Sequence, residues 1–208
     1  GALPEKVLRR PEPGKQMFPM DWSRDGRMIL VQQFQSSGGP DQSDLWVVPM
    51  SGEEKPFPYL ATSFNEGEPA LSPDGRWLAY VSNESGSAQV VVQPFADPSS
   101  GNWQISAKGG HYPRWRRDGR EIYYLDPDRQ IVAVSVTTTD RKFDVGKATN
   151  LFTAPFPFPA NSAGALQIPS DVAPNGQRFF ASALLPTSST SSQTPITVIT
   201  NWMSTLRR

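Results

Sequence analysis

The chain has 208 residues, with 20 basic and 20 acidic side chains and therefore no net formal charge. This balance gives no support for a nucleic-acid partner, which usually needs a basic face. The absence of cysteine excludes disulfides, thiolate metal sites and a cysteine nucleophile. No run of about 18 apolar residues occurs, so the sequence predicts neither a membrane-spanning helix nor membrane contact from this chain.

A short phrase centred on Asp-Gly or Asn-Gly occurs four times. Its copies are residues 24–27 (RDGR), 73–76 (PDGR), 117–120 (RDGR) and 174–177 (PNGQ). The acidic or amide positions, which are Asp25, Asp74, Asp118 and Asn175, lie 49, 44 and 57 residues apart. A repeat of roughly 40–50 residues is typical of propellers, solenoids and other arrays.

Each phrase predicts a hairpin turn, because Asp-Gly and Asn-Gly supply the positive φ angles of tight hairpins. The aspartates are therefore interpreted as turn residues rather than as metal ligands or catalytic acids. A short apolar run follows each turn and predicts a strand: residues 28–31, 77–81, 122–125 and 178–181. These runs do not alternate strictly, which favours strands buried on both faces between stacked sheets.

Further strands are predicted after each of these runs. Third strands are expected at residues 45–48, 90–92, 131–134 and 196–199, and outer fourth strands near 57–61, 103–106 and 149–152. The last unit lacks a fourth strand, whereas residues 5–9 offer a spare one that would close the ring. Ser-, Gly- and Pro-rich residues 36–43 and 186–195 are interpreted as linkers, and residues 155–159 (PFPFP) as an extended connection between blades.

Four strands per unit in radial repetition predict an all-β protein, a β-propeller of four blades with about four antiparallel strands each. The predicted units are residues 11–62, 63–107, 108–153 and 154–208, with residues 1–10 as the closing strand. Four blades is the low end for propellers. Three arrangements are therefore compatible with the sequence: a closed ring of four blades, part of a larger propeller, and a ring formed by two chains. An incomplete ring would expose apolar blade faces and favour self-association.

The repeats resemble those of TolB-type propellers, relatives of the WD repeat, most clearly in residues 70–81 (ALSPDGRWLAYV) and 89–95 (QVVVQPF). The match is weaker in the last unit, where Asn175 and Ala173 replace Asp and Ser. Together with residues 196–202 (ITVITNW), the repeats are also similar to the C-terminal regions of some bacterial eukaryotic-like serine/threonine kinases. The resemblance implies a piece of a larger receptor-like or kinase-linked protein in an extracytoplasmic compartment.

The sequence contains few elements of catalytic chemistry. His111 is the only histidine, and Gly-x-Ser-x-Gly, phosphate-binding-loop and kinase signatures are absent. One histidine cannot form a multi-histidine metal site, and no carboxylate is placed near it by spacing. We therefore predict no catalytic residue, metal or cofactor, and interpret His111 as a hydrogen-bonded residue at a blade entrance.

A ligand site is expected where the connections entering the innermost strands converge at the mouth of the channel. Alignment on the turn phrase places six residues there: Gln16, Asn65, Glu66, His111, Tyr112 and Gln167. The alternative is that these polar groups satisfy loop backbone and one another. A basic cluster at Arg114, Arg116, Arg117 and Arg120 is interpreted as a solvated blade edge.

Two classes of function follow from these features. The first is a non-enzymatic module that senses a ligand or binds a protein, which the repeats and the missing catalytic motifs favour. The second is an accessory or catalytic propeller of a hydrolase or peptidase with a site at the channel mouth. The second class requires carboxylates and histidines that cluster at the channel mouth. The sequence places Glu66 and His111 at that mouth.

Overall fold

The computed structural model describes residues 11–35, 42–50, 54–139, 142–154, 170–182 and 196–200. Within these ranges the chain forms four antiparallel sheets whose strands are hydrogen-bonded in chain order. The first sheet contains β1 (Lys15–Trp22), β2 (Met28–Gln35), β3 (Ser43–Pro49) and β4 (Phe57–Leu60). The second contains β5 (Glu66–Leu71), β6 (Trp77–Ser82), β7 (Gln89–Pro94) and β8 (Trp103–Gln104). The third contains β9 (His111–Trp115), β10 (Glu121–Leu125), β11 (Gln130–Thr138) and β12 (Phe143–Thr153), and the fourth β13 (Ser170–Val172), β14 (Arg178–Ser182) and β15 (Ile196–Thr200).

The strands predicted after each turn are confirmed, and each sheet lies within one predicted unit. The described part of the last sheet has three strands, and the predicted closing segment, residues 1–10, lies outside the described residues. Residues 155–159 and most of the two predicted linkers also lie outside them. A single 3₁₀ turn, Pro98–Ser100, is the helical element of the described residues, and none of their helices is long and apolar enough to cross a membrane.

The repeated phrase forms a hairpin turn that combines a four-residue turn with a left-handed glycine. In the first copy, Gly26 N–H donates to Ser23 O at 2.8 Å, and Gly26 has a φ of 75°. The prediction that the preceding Asp shares the positive φ is wrong, since Asp25 does not adopt it. Its side chain instead accepts the backbone N–H two residues later, Arg27, at 3.0 Å. Asp74, Asp118 and Asn175 make the same bond in their turns, which confirms their role in turn formation.

The sheets stack through apolar faces, as expected for strands buried on both sides. Every residue of β6 is buried. Between the second and third sheets, the Trp77 and Phe143 rings lie 5.0 Å apart. Between the third and fourth sheets, the Tyr123 and Phe179 rings lie 5.1 Å apart. Each such side chain stabilises the fold by about 1.5–3 kcal/mol through burial.

The first strands of the sheets lie innermost, because β1 contacts β5, β5 contacts β9 and β9 contacts β13. Two of these strands carry a bulge at the same place in the repeat. Glu68 (φ 53°) and Tyr112 (φ 56°) both adopt a left-handed conformation, and both precede a proline. A bulge redirects the side chain at that point, and this brings Glu68 of β5 into contact with β9.

Candidate binding site in the central channel

A cavity of about 500 Å³ lies where the first strands converge. Every sheet contributes to its lining. The lining residues are Met20, Asp21, Ala70, Leu71, Pro73, Arg114, Trp115, Asp171 and Phe180. We call this space the channel cavity.

The charged residues of the channel cavity occupy one position of the repeat. Asp21, Ala70, Arg114 and Asp171 each lie four residues before the acidic or amide residue of their turn. One level of the channel therefore carries two carboxylates, one guanidinium and one methyl group. The four turn phrases, once aligned, carry this signal in the sequence.

Arg114 corrects one prediction. The sequence predicts the four arginines of residues 114–120 on a solvated blade edge, yet Arg114 is partly buried and lines the channel cavity. It does so because β9 is an innermost strand. Arg117 and Arg120 are exposed, as predicted, whereas Arg116 is partly buried, with ion pairs to Glu121 at 3.2 Å and Asp118 at 3.3 Å.

Asp21 is held firmly by backbone groups. Its Oδ1 accepts Trp22 N–H at 2.8 Å, and its Oδ2 accepts Leu71 N–H of the next blade at 2.7 Å. Burial raises the pKa of Asp21, while these two hydrogen bonds and the charge of Arg114 oppose the rise. The neighbouring charge of Asp171 adds to it.

Arg114 faces these carboxylates without touching them. Its Nη1 donates to the carbonyl of Pro113 at 2.7 Å. Burial lowers the pKa of Arg114, and the charges of Asp171 and Asp21 act in the opposite direction. Within the described ranges, no carboxylate forms a direct ion pair with Arg114. Opposite charges thus face each other across the cavity.

The mouth predicted from the sequence contains a smaller cavity of about 40 Å³. Asn65 and His111 line it. Glu66 is buried beside it and accepts a hydrogen bond from the Thr62 hydroxyl, and burial raises the pKa of Glu66. Gln16 is exposed on β1.

Three of the predicted residues that the structure describes, Gln16, Glu66 and Tyr112, do not line this small cavity. Tyr112 is buried and presents its backbone N–H to Glu68. Gln167 lies outside the described residues. A ligand site at this mouth stays a prediction.

Glu68 also lines this small cavity, although it is not among the residues predicted from the sequence. Its Oε1 lies 2.9 Å from His111 Nδ1, and its Oε2 accepts the backbone N–H of Tyr112. Its own backbone N–H donates to Gln32 Oε1 at 3.0 Å. These bonds connect three blades, and they agree with the alternative interpretation that polar groups at this mouth satisfy one another.

The described His, Asp and Glu side chains do not form a metal-binding cluster. The described part of the chain contains no group of three or more His, Asp or Glu side chains placed to hold a metal ion. Glu68 and His111 are one carboxylate and one imidazole, and the carboxylate already accepts a backbone hydrogen bond.

No protein-family model and no curated protein matches this chain. Among solved structures, TolB from Acinetobacter baumannii superposes with a TM-score of 0.57 at 14% identity, covering 86% of this chain and 39% of that one. Two other solved structures superpose on this chain with TM-scores of 0.56 and 0.51. They are a Mycobacterium tuberculosis puromycin-hydrolyzing peptidase (0.56, 17% identity, 81% and 28% covered) and a putative TolB from Agrobacterium tumefaciens (0.51, 14% identity, 82% and 70% covered).

The fold is a TolB-type β-propeller. This agrees with the resemblance carried by the repeats. At these identities the likeness shows the fold alone, and the chain spans 39% and 28% of the first two structures. The function of the TolB-type propeller has to be argued from its own residues.

Proposed function

We propose that this TolB-type propeller is a non-enzymatic module that senses a ligand or binds a protein through the channel cavity. The observation that carries the proposal is that Asp21, Arg114 and Asp171 surround one space lined by all four sheets and form no ion pair within the described part of the chain. Concave sites with a few convergent polar groups on an apolar wall are the usual form of a ligand site.

The fold itself does not require charges at this level of the channel. Ala70 occupies the equivalent position of the second blade and forms the same kind of strand. Charged groups that are partly withdrawn from water cost free energy unless they are paired. Their presence is accounted for by a partner that supplies the missing counter-charges.

The charges also indicate the chemistry of that partner. A guanidinium presents a planar fork that suits a carboxylate or a backbone carbonyl. The two carboxylates suit an ammonium group or N–H donors. Leu71, Trp115 and the exposed ring of Phe180 offer apolar contact between them. A peptide segment or an amino-acid-like molecule combines all three features.

The kinase resemblance extends the proposal to the whole protein. We place the module in a larger receptor-like or kinase-linked protein, in which the propeller would recognise the signal and another domain would respond. This step is supported by residues 196–202 and the repeats. The competing proposal is an accessory or catalytic propeller of a hydrolase or peptidase.

Thermal shift and isothermal titration with free amino acids, free-ended tripeptides and the same tripeptides capped at both ends test the proposal. We expect free-ended compounds to bind. Arg114→Met and Asp21→Asn should each weaken binding by about 10-fold or more, because each removes a charged hydrogen-bond partner. Arg116→Met, whose side chain pairs outside the channel cavity, is the matched control.

The outcomes separate the two functions. Absence of binding by every compound, or binding that is the same in Arg114→Met and Asp21→Asn, contradicts the channel site. Peptide cleavage detected by mass spectrometry favours the hydrolase, as does a divalent-metal stabilisation that disappears in Glu66→Ala.

A further inference from the structure

A second cavity of about 250 Å³ lies on the turns of the second and third blades, and Arg24 reaches it from the turn of the first blade. Its lining includes Asp74 and Trp77 of the second blade and Arg117 and Asp118 of the third. We call it the inter-blade cavity. It shares two residues, Pro73 and Trp115, with the channel cavity, but none of the charged residues of that cavity.

The two carboxylates of the inter-blade cavity are already compensated. Asp74 Oδ2 lies 2.8 Å from Arg76 Nε, and Asp118 Oδ2 lies 3.3 Å from Arg116 Nε. Burial tends to raise the pKa of Asp74, but hydrogen bonds from Ser72 and Arg76 outweigh it and lower that pKa. Asp74 is thereby held as an anion inside its turn.

The two arginines that line the inter-blade cavity have no such compensation. Arg24 and Arg117 are exposed, and neither forms an ion pair with a carboxylate of the described residues. Arg76 and Arg116, which neutralise the aspartates, do not line the cavity. The cavity wall therefore carries two guanidinium groups that form no ion pair with a carboxylate of the described residues.

Trp77 supplies an independent sign of a missing acceptor. Its side chain is 4% exposed, and its Nε1–H has no hydrogen-bond partner among the described residues. Trp115, on the same cavity, donates its own Nε1–H to Ala70 O at 3.0 Å. Buried donors are normally satisfied, so an orphan donor at the wall that Arg24 and Arg117 line indicates an absent acceptor.

We infer that the inter-blade cavity binds an oxyanion, the carboxylate or phosphate group of a ligand. Two guanidinium groups are well suited to hold an oxyanion by charge-assisted hydrogen bonds. Trp77, whose Nε1–H has no acceptor among the described residues, belongs to the same wall. The inference stands independently of the channel cavity, because it uses no residue of the Asp21, Arg114 and Asp171 set.

The test titrates the chain with sodium phosphate and, separately, with sodium acetate, at an ionic strength held constant with sodium chloride. Two-dimensional NMR of the indole N–H groups reports on Trp77 directly, and its signal is assigned by Trp77→Phe. We expect saturable movement of the Trp77 signal with at least one of the two anions. Movement with phosphate alone identifies the oxyanion as a phosphate group, and movement with acetate alone identifies it as a carboxylate.

Variants decide whether the cavity is the site. Arg24→Gln and Arg117→Gln should each weaken anion binding about 10-fold, as expected for loss of one charged hydrogen-bond partner. Both side chains are exposed, so the fold should persist. Arg120→Gln, in the same turn as Arg117, should bind as the unaltered chain does.

A Trp77 signal that does not move, or that moves equally with chloride, overturns the inference. Affinity that is unchanged in both Arg24→Gln and Arg117→Gln overturns it as well, and identifies an adventitious ion only.

Discussion

Glu68 of the second blade lies 2.9 Å from His111 of the third, and both side chains are buried. The same carboxylate accepts Tyr112 N–H, so one acidic group satisfies a side chain and a backbone donor of the neighbouring blade. Gln32 connects the first blade to this pair through the backbone of Glu68. At this mouth of the channel, hydrogen bonds between polar groups therefore join three blades.

Removing this carboxylate should destabilise the propeller strongly. Glu68→Ala removes the acceptor of the buried Tyr112 N–H and the hydrogen-bond partner of His111 Nδ1, which costs about 3 kcal/mol or more. Urea unfolding followed by tryptophan fluorescence measures the change. Glu84→Ala, at an exposed glutamate of the same blade, should change stability little. Equal effects of the two substitutions would contradict the role assigned to Glu68.

Glu66 should make stability depend on pH in a defined direction. Burial raises its pKa in the folded state above the ordinary 4.5. The folded state then binds more protons than the unfolded state in the window that begins near pH 4.5, so this group lowers stability as the pH rises through that window. Glu66→Gln keeps an acceptor for Thr62 and removes the charge.

The variant should therefore be more stable than the unaltered chain at pH 7, and the difference should disappear below pH 4.5. Urea midpoints measured from pH 3.5 to 8 check this. A variant that is less stable at pH 7 would show that the charged form of Glu66 is favoured in the fold.

The turn glycines can be tested without changing any packing. Gly75 has a φ of 74°, and a Cβ placed there would meet nothing within 4 Å. Gly75→Ala should therefore cost only the strain of the left-handed backbone, about 1–2 kcal/mol. Gly75→Asn should cost less, because asparagine tolerates this conformation. Thermal unfolding of the two variants measures the order, and an equal cost would argue against backbone strain as the cause.

Phe143 should be one of the strongest contributors to blade packing. It is 3% exposed, and its ring centre lies 5.0 Å from Trp77 and 5.3 Å from Trp103. Phe143→Ala should cost about 3–5 kcal/mol, since it leaves a cavity between the second and third blades. Phe57→Ala is the matched control, because Phe57 is 45% exposed. Denaturant midpoints that shift equally in both variants would contradict this account.

The local part of the fold was predictable from the sequence, whereas the sites were not. Asp-Gly phrases and apolar runs act over a few residues, so the turns and the strands beside them were found. Glu68 and His111 are 43 residues apart, and their contact depends on a bulge that has no reliable sequence signature. Arg114 was misplaced because the four arginines were treated as one cluster. Arg114 lies on β9, whereas the other three lie in the turn that follows.

Pro73 and Trp115 form part of the wall of both cavities. Two occupants that each displace such a shared wall are thermodynamically linked, and each changes the affinity of the other by the same factor. A titration of the channel cavity in phosphate buffer would then give a different affinity from the same titration in a buffer without oxyanions. The choice of buffer becomes an experimental variable for this propeller.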